Sequence, residues 1–214
     1  NIGYIPINKL REMISSKEIS PVEVINETFQ RINSLDSRFG AYITLDEENA
    51  IKKAKEAENS IMKGEDLGPL HGIPVPIKDL EPVKNMRCTF GSIPADIVAT
   101  EDAISVERIK SAGGIIIGKT NTPEYGNAGT TENRVFGISR NPWNDKLTPG
   151  GSSGGSAVSI CSGMTSIAQG SDGGGSIRIP ASLCGIFGIK PTQGRIPRRV
   201  HNNTKWNEIN FSTT

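Results

Sequence analysis

PGGSSGGSAVSICSGMTSIAQGSDGGGSIRIP, residues 149–180, is rich in glycine and serine, yet an apolar run (Ala157, Val158 and Ile160, then Ile167 and Ala168) passes through its middle. A flexible glycine–serine linker stays solvated and has no use for such anchors. Glycine costs backbone entropy, so clustering it inside a folded region implies turns or close approaches that a Cβ would forbid. The pattern predicts a helix over 155–162, a strand over 165–169 and the start of a second helix over 176–184, with glycine turns before both helices. Two serines, Ser152 and Ser176, sit in those turns and are candidates for chemistry.

Working outward, the rest of the chain alternates in the same way. Leu10, Met13 and Ile14 put one face on a helix over 7–19. Ser20-Pro21 is a helix start, a serine N-cap with proline at the first helical position. Val22, Ile25, Phe29 and Ile32 then predict an amphipathic helix over 21–35. Thr44 with Glu47 reads as a capping box for a third helix over 45–62. Its Lys52, Lys53, Lys55, Glu56 and Glu58 form a solvated face rather than a binding patch. GIPVPIKD (72–79) is a short apolar strand whose two prolines place it at a strand end or a sheet edge. A helix over 101–112 leads to GIIIG (114–118), a core strand rich in β-branched residues. Strands alternating with helices indicate α/β layers, and no internal repeat breaks the pattern.

Composition excludes several classes. Lys plus Arg is 24 against 23 for Asp plus Glu, a net charge of +1 that gives no sign of a nucleic-acid or membrane partner. No apolar run reaches the roughly 20 residues that span a bilayer, and NIGYIPINKLREM lacks the layout of a signal peptide. The cysteines Cys88, Cys161 and Cys184 are odd in number and widely spaced, which argues against a disulfide framework or a zinc site. They read as small buried hydrophobes in a reducing, cytoplasmic setting. Matches to N-x-[ST] at Asn26, Asn202 and Asn210 carry little weight without a secretory signal.

Two familiar motifs fail on context. Residues 113–120, GGIIIGKT, fit G-x-x-x-x-G-K-[ST], but three isoleucines fill the would-be phosphate loop and Asn121-Thr122-Pro123 interrupts any following helix. Residues 151–155, GSSGG, fit G-x-S-x-G, but 145–149 make a poor strand. Of the two histidines, His71 reads as structural and His201 lies in a polar tail, so a serine–histidine–aspartate enzyme is disfavoured. What remains is Lys78, Ser152 and Ser176. A serine hydroxyl needs a base to become nucleophilic, and lysine can be that base when burial disfavours its charged form. Gly173, Gly174 and Gly175 before Ser176 offer backbone N–H groups for an oxyanion. The plainer alternatives are a salt-bridged lysine at a strand end and a glycine turn with Ser176 as an N-cap.

At this point the chain resembles the amidase signature family. The matching residues are GIPVPIKD (72–79), GKTNTPEYG (118–126), NRVFGISRNPWN (133–144), PGGSSGGSA (149–157) and SDGGGSIRIPASLCGIFGIKPT (171–192). The resemblance implies an α/β fold with a mixed β-sheet core covered by helices on both faces, here incomplete. Residues 1–65 would be an N-terminal helical segment and 66–214 the first part of the catalytic core. It further implies an amidase that cleaves linear carboxylic amides to an acid plus ammonia or an amine. Ser176 would be the acyl-forming nucleophile, Ser152 the bridging serine and Lys78 the base. The N–H groups of Gly173, Gly174, Gly175 and Ser176 would hold the oxyanion. The family's peptide bond before the bridging serine is cis. Gly126 would line the acyl pocket, and Asp172 with Arg178 would brace the turn, a plain structural ion pair being the equal alternative. No metal and no cofactor are implied. The partner expectations are a small amide, no direct nucleic acid, no membrane, a homodimer as an option, and the remaining half of the chain itself. Two alternatives stand beside this reading: a glutaminase subunit of a tRNA-dependent amidotransferase, and an inactive or assembly-only fragment.

Overall fold

Three helices open the chain: α1 (Ile7–Ser15), α2 (Pro21–Phe39) and α3 (Glu47–Lys63). The computed structural model describes residues 2–65 and 67–197, together with a short strand at Ser212–Thr213. His201, Asn202 and Asn210 lie outside the described residues. α1 stops four residues short of expectation because Lys17 turns left-handed (φ 63°), letting the Glu18 N–H return to the Met13 carbonyl at 2.8 Å. α2 starts as its sequence dictates. Ser20 Oγ accepts the Glu23 N–H (3.1 Å) and Glu23 Oε2 accepts the Ser20 N–H (2.8 Å), a reciprocal capping box. It runs four residues further than predicted and ends only at Gly40, which is left-handed (φ 62°).

The expected capping box at Thr44 does not form. Thr44 belongs to β1 (Tyr42–Leu45), and Asp46 precedes α3 without a side-chain cap. The strand prevails because the neighbouring sheet offers partners: Thr44 pairs with Lys119, and the Asp46 N–H bonds the Ile117 carbonyl at 3.0 Å.

The central sheet has three strands in the order β1, β5, β2, where β2 is Pro74–Lys78 and β5 is Ile115–Thr120. β1 is antiparallel to β5 and β2 is parallel to it, so the sheet is mixed. Between β2 and β5 lie the small pair β3 (Arg87–Cys88) with β4 (Ile97–Val98) and the helix α4 (Ile104–Ser111), shorter at both ends than the 101–112 prediction. Alternation along β5 divides the core. Ile116 joins Val75 and Ile77 of β2 with Leu10, Ile14 and Val106. Ile115 and Ile117 join Ile25, Phe29 and Ile32 of α2, Ala50 and Ala54 of α3, and Val158.

Beyond β5 come the hairpin β6 (Glu132–Asn133) with β7 (Gly137–Ile138), then α5 (Gly154–Cys161), β8 (Ser171–Asp172) and α6 (Arg178–Cys184). The predicted strand over 165–169 is absent. There the backbone turns back on α5, with the Thr165 N–H reaching the Ser159 carbonyl (3.3 Å) and Thr165 Oγ1 bonding Ser159 Oγ (2.8 Å). The strand lies a few residues later, where β8 pairs with β9 (Ser212–Thr213). No helix among the described residues is long and apolar enough to cross a membrane.

Ser20→Ala removes one half of the α2 capping box and should lower stability by about 1 kcal/mol, with Ser20→Gly costing only a few tenths. Urea unfolding checks this, and equal losses for the two variants would contradict it.

Candidate active site

Lys78 closes β2 and is fully buried. The strand is an edge of the described sheet and contains two prolines, so its hydrogen bonding is completed from outside. Gln169 donates its N–H to the Pro76 carbonyl (3.0 Å), and its Oε1 accepts the Lys78 N–H (3.0 Å). This fixes the backbone from which the amine extends. Lys78 Nζ donates to Ser152 Oγ at 2.7 Å and to Ser171 Oγ at 3.0 Å.

Ser152 is presented by the turn that opens α5, and the Gly151–Ser152 peptide bond is cis, as the resemblance implied. Thr131 secures the turn on both sides, donating Oγ1–H to the Gly150 carbonyl (2.8 Å) and accepting the Gly154 N–H (3.1 Å). Gly155 is required for contact: a Cβ there would stand 2.4 Å from Asn121 N and 2.6 Å from the Ala41 carbonyl oxygen. α5 therefore docks directly on the ends of β5 and β1.

The second glycine turn is organised by Asp172, whose side chain has no solvent exposure. Its Oδ1 accepts the Gly175 N–H (2.7 Å), and its Oδ2 accepts those of Ile177 (3.1 Å) and Arg178 (3.2 Å). Arg178 closes the arrangement with Nε on Oδ2 (2.9 Å) and Nη2 on Oδ1 (2.8 Å). Burial alone would raise the Asp172 carboxyl, but the Arg178 guanidinium and these three N–H groups outweigh it and hold it well below the usual carboxylate range. Two expectations change in consequence. Ser176 is not the N-cap of α6, which begins at Arg178, because Asp172 takes the first N–H groups. Of the four N–H groups expected at the oxyanion, that of Gly175 is already engaged. Those of Gly173, Gly174 and Ser176 meet no acceptor among the described residues.

The two turns meet through the backbone, where the Ser153 N–H bonds the Ser176 carbonyl at 3.0 Å. Ser153 Oγ also bonds the Ser171 carbonyl (3.1 Å) and accepts the Ser171 N–H (3.2 Å). Lys78, Ser152 and the Ser176 segment are thus brought together, while the Ser176 hydroxyl itself makes no hydrogen bond among the described residues. Gly126 also lies here. It is left-handed (φ 71°), and a Cβ on it would come 3.2 Å from Ser152 Oγ and 2.6 Å from Leu80 Cδ1. His71 is elsewhere, with Nε2 at 2.9 Å from the Ala57 carbonyl oxygen. All three cysteines are free, with Cys88 and Cys184 buried and Cys161 half-buried.

Sequence reading missed Ser171, Gln169, Thr131 and a buried ion pair. Lys119 Nζ lies 2.8 Å from Asp79 Oδ1, and both side chains are fully buried. Asp79 Oδ2 accepts the Thr89 N–H (2.9 Å) and hydroxyl (2.6 Å). Burial pushes the adjacent Cys88 thiol up to about 11, with Lys119 pulling the other way. Ser171 and Asp79 each border a residue the sequence did single out and lie within the stretches that carry the resemblance, but no role was read for either.

A strand-end lysine, a serine on a cis turn and a second serine after three glycines are set together on a mixed α/β scaffold, and His71, the one histidine among the described residues, is not beside them. The model of the Amidase family matches residues 23–206, and the chain belongs to the amidase signature family. It is 46% identical over 199 residues to the A-subunit of the glutamyl-tRNA(Gln) amidotransferase of Clostridium kluyveri, covering 92% of this chain and 40% of that protein. It is 41% identical over 201 residues to an acylamidase of Rhodococcus erythropolis, covering 94% and 42%. The crystal structure of a bacterial aryl acylamidase of the same family superposes with a TM-score of 0.88 at 34% identity, over 94% of this chain and 42% of that one. The chain therefore spans about two fifths of the curated relatives it matches, and the mixed sheet with its helices is part of that larger fold.

The charged form of Asp172 supports the folded state. Since its folded pKa is depressed, this contribution is complete above the ordinary value of 3.8 and is lost as pH falls below it. The stability difference between wild type and Asp172→Asn should be constant above about pH 5 and narrow between roughly pH 4 and 2. A difference independent of pH in chemical denaturation would contradict this.

Proposed function

We propose that Lys78, Ser152 and Ser176 hydrolyse linear carboxylic amides through an acyl-enzyme on Ser176. The observation that carries this reading is the 2.7 Å contact between the buried Lys78 amine and Ser152 Oγ, beside the turn that holds Ser176. Burial disfavours the ammonium form, so the neutral amine accepts the Ser152 proton while Ser152 accepts that of Ser176. Ser176 Oγ then attacks the amide carbonyl. The oxyanion is held by the open N–H groups of Gly173, Gly174 and Ser176, with Gly175 committed to Asp172 and shaping the turn rather than donating. The proton returns through Ser152 to the leaving nitrogen, and the C–N bond breaks. Water, activated by the same pair, releases the acid and regenerates Ser176. The Ser176 hydroxyl closes the relay when substrate is bound, since such bonds are commonly loose in unliganded sites. Gly126 leaves room for the acyl group beside Ser152.

The activity belongs to the whole protein carrying this site. In this reading residues 66–214 form the first part of the catalytic core behind a helical segment at 1–65. Residues outside this chain complete the amide pocket, the protein works in the cytoplasm, and a homodimer is compatible with it. A second reading, a glutaminase subunit that passes ammonia to a partner, is favoured by the amidotransferase relative. The segment DLEPVKNMRCTFGS (79–92) supports the free-standing amidase instead.

Ser176→Ala in the full-length protein should lower amide hydrolysis by about 10⁴-fold or more, and Lys78→Ala by roughly 10²–10⁴-fold at neutral pH. Steady-state kinetics on short aliphatic and aromatic amides checks both, and full activity in Ser176→Ala would overturn the mechanism. Ammonia release from glutamine that depends on a partner protein would decide for the second reading.

A further inference from the structure

The carboxylate next in sequence to Lys78 faces away from it. Successive residues along an extended chain point to opposite sides. Lys78 turns to Ser152 and Ser171, whereas Asp79 turns to Lys119 and Thr89. The β2–β5 register makes this possible, placing Lys119 opposite Ile77 and Thr120 opposite Lys78. Thr120 Oγ1 then bonds Ser156 of α5 (2.7 Å), on the side of the serines. The sheet edge thus separates an amine–hydroxyl cluster (Lys78, Ser152 and Ser171) from a carboxylate–ammonium pair (Asp79 and Lys119), all of them buried.

A buried carboxylate beside a base would normally favour its protonated form. We propose that Lys119 is a positioning residue for the proposed catalytic base: it neutralises Asp79 and holds it on the far side of the sheet, so that this carboxylate does not lock Lys78 as an ammonium. The inference rests on Lys78 being the base. Other charged or titratable groups near the strand end are Glu81, whose N–H bonds the Lys78 carbonyl (3.0 Å), Cys88 on β3, and Asp172 with Arg178 at the second turn. Asp172 has its own cation in Arg178, as Asp79 has in Lys119. Each of these two carboxylates is thereby given a partner other than the amine. Thr89 completes the hold on Asp79 with two hydrogen bonds to Oδ2.

The test is the pH dependence of Ser176 labelling by a fluorophosphonate in the full-length protein. Labelling requires neutral Lys78, so its rate rises with pH through the pKa of the base. Lys119→Met leaves an unbalanced anion and should move that limb to higher pH by about one unit or more. Asp79→Asn leaves an unbalanced cation and should move it to lower pH by a similar amount, and the double variant should return it to the wild-type position. Asp79→Asn keeps the side-chain shape, so it carries the test alone if Lys119→Met does not fold. A purely structural ion pair would depress the rate without opposite displacements. Limbs that coincide with wild type, or that move the same way in both single variants, would overturn the proposal. If Lys78→Ala labels at the full rate, it is the assignment of the base that fails; if Lys78→Ala is silent and the Asp79→Asn limb does not move, only this inference fails.

Discussion

The contact between Lys78 Nζ and Ser152 Oγ joins positions 74 residues apart in sequence, both of them buried. A polar group taken out of water needs its hydrogen bonds met, and an amine at the end of a strand cannot find them within that strand. The surrounding structure is arranged to meet that need. Gln169 completes the edge of β2, Ser171 supplies a second oxygen, and Thr131 with Gly155 brings the cis turn of Ser152 up against the ends of β5 and β1. Removing any of these would leave the amine with an unsatisfied neighbour or a displaced one.

The second turn has a different organiser. Three glycines cannot fix a conformation by themselves, and Asp172 does so by taking the N–H groups of Gly175, Ile177 and Arg178. This converts a flexible segment into a framework in which the other N–H groups stay clear of the carboxylate. Two buried carboxylates, Asp79 and Asp172, are each matched to a cation other than Lys78. Lys119 and Arg178 are those cations.

Much of this was legible in the sequence where local chemistry decides. Ser20-Pro21 fixes the start of α2, the isoleucines of β5 mark a core strand, and the glycine turns mark Ser152 and Ser176. Reading failed where tertiary partners decide. Thr44 has the right spacing for a cap, but pairing with Lys119 draws it into β1. Residues 165–169 have a strand-like composition, yet the backbone folds back on α5. Lys119 looked like part of a discarded phosphate-loop pattern, and nothing local shows that its partner is Asp79, forty residues earlier. Gly175 looked like one more open donor because its acceptor is a side chain three residues before it.

The most direct measurement is the location of the acyl group during turnover. Full-length protein is acid-quenched with a slowly deacylating amide or activated ester, digested and mapped by tandem mass spectrometry. The account predicts a single acyl adduct on Ser176, absent when Lys78 is replaced by alanine. An adduct on Ser152, Ser153 or a cysteine, or turnover with no adduct under conditions where deacylation limits the rate, would contradict it.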